Sequence, residues 1–489
     1  MEFSPYEKSI RSLMDAMAKG TASSASLTDY YLERIEKYNG DKDGINAIIT
    51  VNPHAREIAE ELDRERKAGK LRGCLHGVPL LIKDNINTED MPTTGSCIEL
   101  KDCRPQSDAH LVKLLRDAGA VILGKGNLTE LARNGLSVGS LGGQSRNPYD
   151  LTRTPGGSSG GIGAGIAMNF AAAGIGTDTV NSVRSPSSAC SLAGMRPTTG
   201  LVSREGLIPC SMKQDTAGPL ARTVEDCALL LDVMRGYDPR DTLTADQIGR
   251  VPDVSYTSFL SQDGLRGKRL GILKTNLGND PDVTAVMERS FRLLENAGAQ
   301  LTEVDIPELE TDRVFSECDV QRYETGLLLD RYFAGIPGCP VKSLKDLVSR
   351  HTLHESVTED LEACACAEGP FGEGIRRKLE NVARNTRLAS DAMKKHNLHA
   401  LVYPHQQILV VKTGAPSQAK RNGIVASTMG WPAITVPAGF SAPDENAPQG
   451  VPVGIEFMAM PYREPLLFEI ASSYESLTHF RKPPLTGKE

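Results

Sequence analysis

Six glycines crowd one Ser-Ser pair in the stretch 154–186, TPGGSSGGIGAGIAMNFAAAGIGTDTVNSVRSP, which restricts the chain more than any other segment. Gly156, Gly157, Gly160, Gly161, Gly163 and Gly165 surround Ser158 and Ser159. A run of small residues leads on to Gly176-Thr177-Asp178, Ser182 and Arg184. Glycine at this density permits positive φ and close approach of backbone to a ligand. Successive N–H groups in such a loop form an anion-binding concavity. The hydroxyls are candidate nucleophiles, but a serine needs an activating base.

Four chemistries use loops of this kind. A dinucleotide fingerprint needs G-x-G-x-x-G after a strand; Gly161-Ile162-Gly163-Ala164-Gly165 has the wrong spacing and no apolar strand precedes it. A P-loop needs Lys-Ser/Thr after the glycines, and none follows. Gly156-Gly157-Ser158-Ser159-Gly160 matches G-x-S-x-G, but a nucleophile elbow is reached from a buried strand. Here Arg146-Asn147-Pro148-Tyr149-Asp150 is turn chemistry instead. The fourth arrangement, two serines and a lysine, is favoured.

That arrangement resembles the amidase signature family. The resemblance is carried by GGSSGG and by a second serine 24 positions after Ser158, within Thr-Asp-x-x-x-Ser-x-Arg. Upstream, Gly77-Val78-Pro79-Leu80-Leu81-Ile82-Lys83-Asp84 is similar to the family's lysine strand. Asp215 to Val224, Gly430 to Gly439 and Pro452 to Met458 are similar to further blocks, so the likeness runs in order over roughly residues 20–475. It implies one large α/β domain, 1–489, with a central mixed twisted β-sheet sandwiched by α-helices. Within it we expect an N-terminal helical segment 1–70, a catalytic core 71–235 and a mostly helical substrate-side insertion 311–397.

The resemblance also implies roles. Ser182 is the nucleophile, Ser158 relays its proton, and Lys83, which must be neutral, receives it. A cis peptide is expected at Gly157–Ser158. A lysine ordinarily titrates near about 10.4, and complete burial lowers that by up to ~3–5 units. The apolar run Val78 to Ile82 supplies such a setting, and neighbouring strand residues face opposite sides, which aims Asp84 away. Arg184 and Asp178 are expected to hold the loop rather than react. The chain departs from the family at Val180-Asn181, where two glycines are usual. The N–H groups of Thr179, Val180, Asn181 and Ser182 remain available as oxyanion donors. Either the loop needs no positive φ at residue 180 or it takes another path, because Val does not tolerate one.

No metal or organic cofactor is needed for such chemistry. His351, His354, Cys364 and Cys366 do not match zinc-ligand spacings. His396, His399 and His405 flank a strand, and His405 stands where it could line the pocket. Tyr323, Tyr332 and Phe333 have helical spacing and read as core ahead of pocket wall. A net charge of −7 and the lack of a basic run argue against a nucleic-acid partner. No run of about 18 apolar residues marks a membrane span, and the N-terminus lacks a leader pattern. Ten scattered cysteines read as reduced thiols in a cytoplasmic protein; a homodimer is compatible with this reading.

The periodicity predicts helices from Ser4-Pro5-Tyr6-Glu7 to Gly20, over 27–38 and over 53–69, and a short helix over 127–133. It predicts strands at 47–51, 77–82, 120–124, 399–403, 433–436 and 453–458. A βαβ unit is expected over 268–306. A Pro/Asp-rich excursion at 237–267 reads as a flexible connection. The expected reaction is hydrolysis of a carboxamide or anilide C–N bond of a small molecule. A carbamate or ester hydrolase uses the same parts. The glutaminase component of a tRNA-dependent amidotransferase is the reading that would require a partner chain.

Overall fold

The computed structural model describes residues 3–40 and 44–485. Its framework is an eleven-stranded sheet. In chain order the strands are β1 (Ile48–Val51), β2 (Pro79–Lys83), β3 (Val121–Gly126), β4 (Val138–Gly139), β5 (Gly143–Gln144), β6 (Ala173–Asp178), β7 (Ala193–Arg196), β8 (Thr216–Ala221), β9 (Arg269–Leu273), β10 (Gln300–Val304), β11 (Ala400–Pro404), β12 (Ala433–Phe440) and β13 (Pro452–Met458). β4 and β5 form a separate two-stranded ladder; the other eleven run β1-β3-β2-β6-β8-β7-β12-β13-β11-β9-β10. The sheet is mixed: β3, β2 and β6 run parallel to each other, as do β11, β9 and β10, while the ladders between the two groups are antiparallel.

Burial explains these strands. Every residue of β2, β3 and β6 is buried, as parallel strands covered on both faces require. β9 and β10 pair in parallel across the helix Pro281–Asn296, the βαβ unit expected from the sequence. That helix starts where Asp280 accepts the N–H groups of Asp282 and Val283 and Pro281 presets φ. Helices cover both faces, and the apolar core is largely continuous from Ile10 to Tyr474.

Three local expectations are corrected. The first helix begins at Ile10 behind Ser9, not at Ser4: Glu7 adopts φ 55° and is drawn to Asn169 and Arg481. Residues 127–133 hold only a tight turn, Glu130–Ala132. Leu131 and Ala132 are left-handed there, and the Asn127 amide is spent on tying Ser96, Asn46 and Gly142 together. The segment 237–267 is pinned, because Tyr256 is buried against Phe468, with ring centroids 5.6 Å apart, and Asp232 accepts its N–H. Among the described residues, no helix is long and apolar enough to cross a membrane.

Candidate active site

Because β2 and β6 are neighbours, their C-terminal ends deliver Lys83 and Thr177-Asp178 side by side. The Gly-Ser loop passes over them into the helix Gly160–Ala167. Ser158 follows a cis Gly157–Ser158 peptide, as the resemblance implies. Gly156 needs its glycine twice over: its φ is 72°, and a methyl there would lie 2.8 Å from the Ser185 carbonyl oxygen.

Lys83 is wholly buried, and its Nζ lies 2.8 Å from Ser158 Oγ and 2.8 Å from Thr177 Oγ1. Burial pushes its ammonium down to about 7, against the weaker pull of Asp178 and Asp215. The adjacent Asp84 faces the other side, accepts from Thr94 and lies 3.5 Å from Lys125 Nζ. The carboxylate next in sequence is therefore neutralised elsewhere. Thr177 and Asn85, whose Nδ2 lies 3.0 Å from Thr177 Oγ1, complete the surroundings of Lys83. Sequence reasoning assigned neither. The signal was there for Asn85, which stands two residues beyond Lys83.

Ser182 follows β6 in the bend that leads into the helix Arg184–Ala189. Its hydroxyl has no hydrogen-bond partner among the described residues, and the residue keeps 5% of its surface exposed. It is not a cap, since Val183 holds that place and Ser159 N–H donates to the Ser182 carbonyl at 3.3 Å. The structure thus joins Lys83 to Ser158 by a direct hydrogen bond and stitches the loops of Ser158 and Ser182 through their backbones. It places no hydrogen bond between the two serine hydroxyls.

Among the described residues, the N–H groups of Thr179, Val180, Asn181 and Ser182 have no protein acceptor. None of these four residues has positive φ, so Val180 and Asn181 fit the loop without strain. Val180 packs into an apolar cluster with Tyr403, Ile424 and Trp431. The Asn181 amide is buried with neither of its polar atoms partnered.

A buried ion network fixes this bend. Asp178 accepts Val183 N–H at 3.1 Å, Arg184 at 3.0 and 3.1 Å, and Arg196 at 2.9 Å. Burial opposes the charge on Asp178, but Arg184 and Arg196 hold its carboxyl well below the usual range. Arg184 reaches Glu456 at 2.5 Å, and Glu456 accepts from His405 Nδ1, Tyr403 and Thr435. Glu456 is held down at about 2, burial being outweighed by Arg184 and His405. His405 therefore lies behind the nucleophile loop. Gly423 fits between the two: a methyl there would lie 2.6 Å from Asn181 Cβ and 3.0 Å from His405 Cε1.

The remaining candidates lie elsewhere. His354 caps the helix Glu355–Ala365, Cys364 sits in an apolar cluster and Cys366 is exposed. His399 accepts Arg269 N–H at 3.0 Å. Phe333 is core, while Tyr332 donates to Asn87 Oδ1 at 2.7 Å. A cavity of about 1020 Å³ opens between Leu136, Arg146, Glu355, Glu359 and Pro416.

Comparison with known proteins agrees with this geometry. The profile of the family described as Amidase matches residues 26–468. An Arabidopsis thaliana protein named "Probable amidase" is 34% identical over 502 residues, covering 99% of this chain and 92% of the relative. A glutamyl-tRNA(Gln) amidotransferase subunit of Halorhodospira halophila is 33% identical, covering 99% of this chain and all of that one. The native peptide amidase of Stenotrophomonas maltophilia superposes with a TM-score of 0.89 at 37% identity, covering 98% of this chain and 99% of that one. The chain belongs to the amidase family, a hydrolase of C–N bonds built as one large α/β domain with a mixed sheet between helices.

Proposed function

We propose that this enzyme cleaves a carboxamide or anilide C–N bond of a small molecule through an acyl-enzyme on Ser182. The observation that carries the reading is the fully buried Lys83 amine, 2.8 Å from Ser158 Oγ and pushed down to about 7. Such an amine is substantially neutral at physiological pH and can accept a proton. Substrate binding turns the unpartnered Ser182 hydroxyl toward Ser158. Ser182 Oγ attacks the carbonyl carbon as its proton passes to Ser158 and that of Ser158 to Lys83. The oxyanion is met by the free N–H groups of Thr179 to Ser182. The C–N bond then breaks, and Lys83 returns the proton through Ser158 to the leaving amine. Water reverses the sequence to release the acid. No step calls on a metal or an organic cofactor. The ten scattered cysteines support a cytoplasmic location, and a homodimer is compatible with the proposal.

The test is a panel of primary amides, anilides, carbamates and esters, run on wild type and on Ser182→Ala, Ser158→Ala and Lys83→Ala. Ser182→Ala is expected to abolish turnover, and the other two to lose several orders of magnitude. Activity retained by Ser182→Ala would move the nucleophile elsewhere. One relative supports a second reading, the glutaminase component of an amidotransferase. Glutamine hydrolysis seen only with a co-purified second chain would select it.

A further inference from the structure

Arg421 is a guanidinium without a protein anion. Among the described residues its side chain makes no ion pair and no hydrogen bond, and its Nε is buried and unpartnered. The other buried arginines close to the nucleophile, Arg184 and Arg196, each grip a carboxylate. Arg421 has only the face of Phe315, 5.0 Å from the ring centroid, and the more distant charge of Asp319, which bonds Gln321. Burial pushes it down to about 10, so it stays charged at neutral pH.

Its position follows from three close approaches. A methyl on Gly135 would lie 3.1 Å from Arg421 Nη1. A methyl on Gly157, next to the relay serine, would lie 2.9 Å from the Gly135 carbonyl. On the other side, Gly423, two residues from Arg421, rests on Asn181 beside Ser182. The guanidinium therefore stands between the two serine loops. A desolvated cation without a partner is costly unless a ligand supplies the anion, and the planar fork matches a carboxylate.

We propose that Arg421 is a specificity-determining residue that binds a carboxylate carried by the amide substrate. The inference rests on the Ser182 reading above and adds the substrate class to it. Its test compares ω-carboxy primary amides of increasing chain length, glutaramate among them, with matched neutral amides and ω-amino amides. Wild type is expected to favour the best carboxylate-bearing amide over its neutral match by roughly 10-fold or more in kcat/KM. Arg421→Gln is expected to lower that ratio by roughly 10- to 100-fold, as loss of a charged hydrogen-bonding pair implies. Arg421→Lys, which keeps the charge without the fork, falls between and serves if Arg421→Gln does not fold. A ratio unchanged in both variants, or a preference for the ω-amino amides, would overturn the proposal.

A binding arm separates the two readings. Glutarate is expected to raise the melting temperature of wild type but not of Arg421→Gln, even if no amide is turned over. An amide panel that fails while glutarate binds in this way sinks the function and spares the site. Inorganic phosphate stabilising as strongly as glutarate would assign the guanidinium to a tetrahedral anion and refute the carboxylate.

Discussion

Replacing Lys83 by Met isolates the electrostatic cost on which the chemistry depends. In the fold Lys83 titrates at about 7, against an ordinary 10.5, because burial disfavours the ammonium. Between these two values the unfolded chain holds the extra proton, so stability rises with pH across that window and is level below it. At about 1.4 kcal/mol per decade the burden is roughly 5 kcal/mol at pH 6 and roughly 2 kcal/mol at pH 9. Lys83 therefore makes the wild type about 3 kcal/mol more stable at pH 9 than at pH 6, over and above what other groups contribute. Lys83→Met removes that difference. It also strips a partner from the Ser158 and Thr177 hydroxyls, about 1–3 kcal/mol at every pH, so the readout is the pH difference and not the absolute stability. Urea unfolding of both proteins at pH 6 and pH 9 measures it. A variant that keeps the wild-type difference to within about 1 kcal/mol would show that Lys83 titrates normally and would remove its fitness as a base. In activity, the same residue requires kcat/KM to rise roughly tenfold from pH 6 to pH 8.

Two further outcomes follow from the network behind the nucleophile. Asp178→Asn leaves Arg184 and Arg196 short of a buried counter-charge and is expected to cost about 3–5 kcal/mol; a melting temperature within a degree or two of wild type would contradict this. Gly423→Ala places a methyl 2.6 Å from Asn181 Cβ and displaces the nucleophile loop. It is expected to lower kcat by roughly tenfold or more, and steady-state kinetics with wild-type kcat would contradict it.

The local chemistry of the site was legible wherever periodicity and neighbours decide it. The apolar run before Lys83 is a buried strand, and alternation does send Asp84 to the far side, where it meets Lys125. The Val180-Asn181 departure, which left two backbone paths open, is resolved by a bend that uses no positive φ. What escaped was set by distant partners. Glu456 lies 272 residues from the Arg184 it grips, and no spacing rule links them. His405 falls behind the loop because Glu456 holds it there. The helix expected over 127–133 gave way because the Asn127 side chain is tied to Ser96, Asn46, Gly142 and Gly143 and Leu131 turns left-handed. The false start at Ser4 has the same origin: Glu7 is claimed by Arg481, 474 residues away.

The helices between residues 311 and 395 do not close their own apolar interior. Leu329, Phe333, Ile336, Leu344 and Leu361 are sealed by Cys97, Leu100, Leu131 and Ile208 from the catalytic half. Excising that stretch would leave the floor beside the reactive serines wet, so no minimal enzyme can be cut from this chain at those joints. Whatever specificity the stretch confers is inherited together with the machinery it roofs.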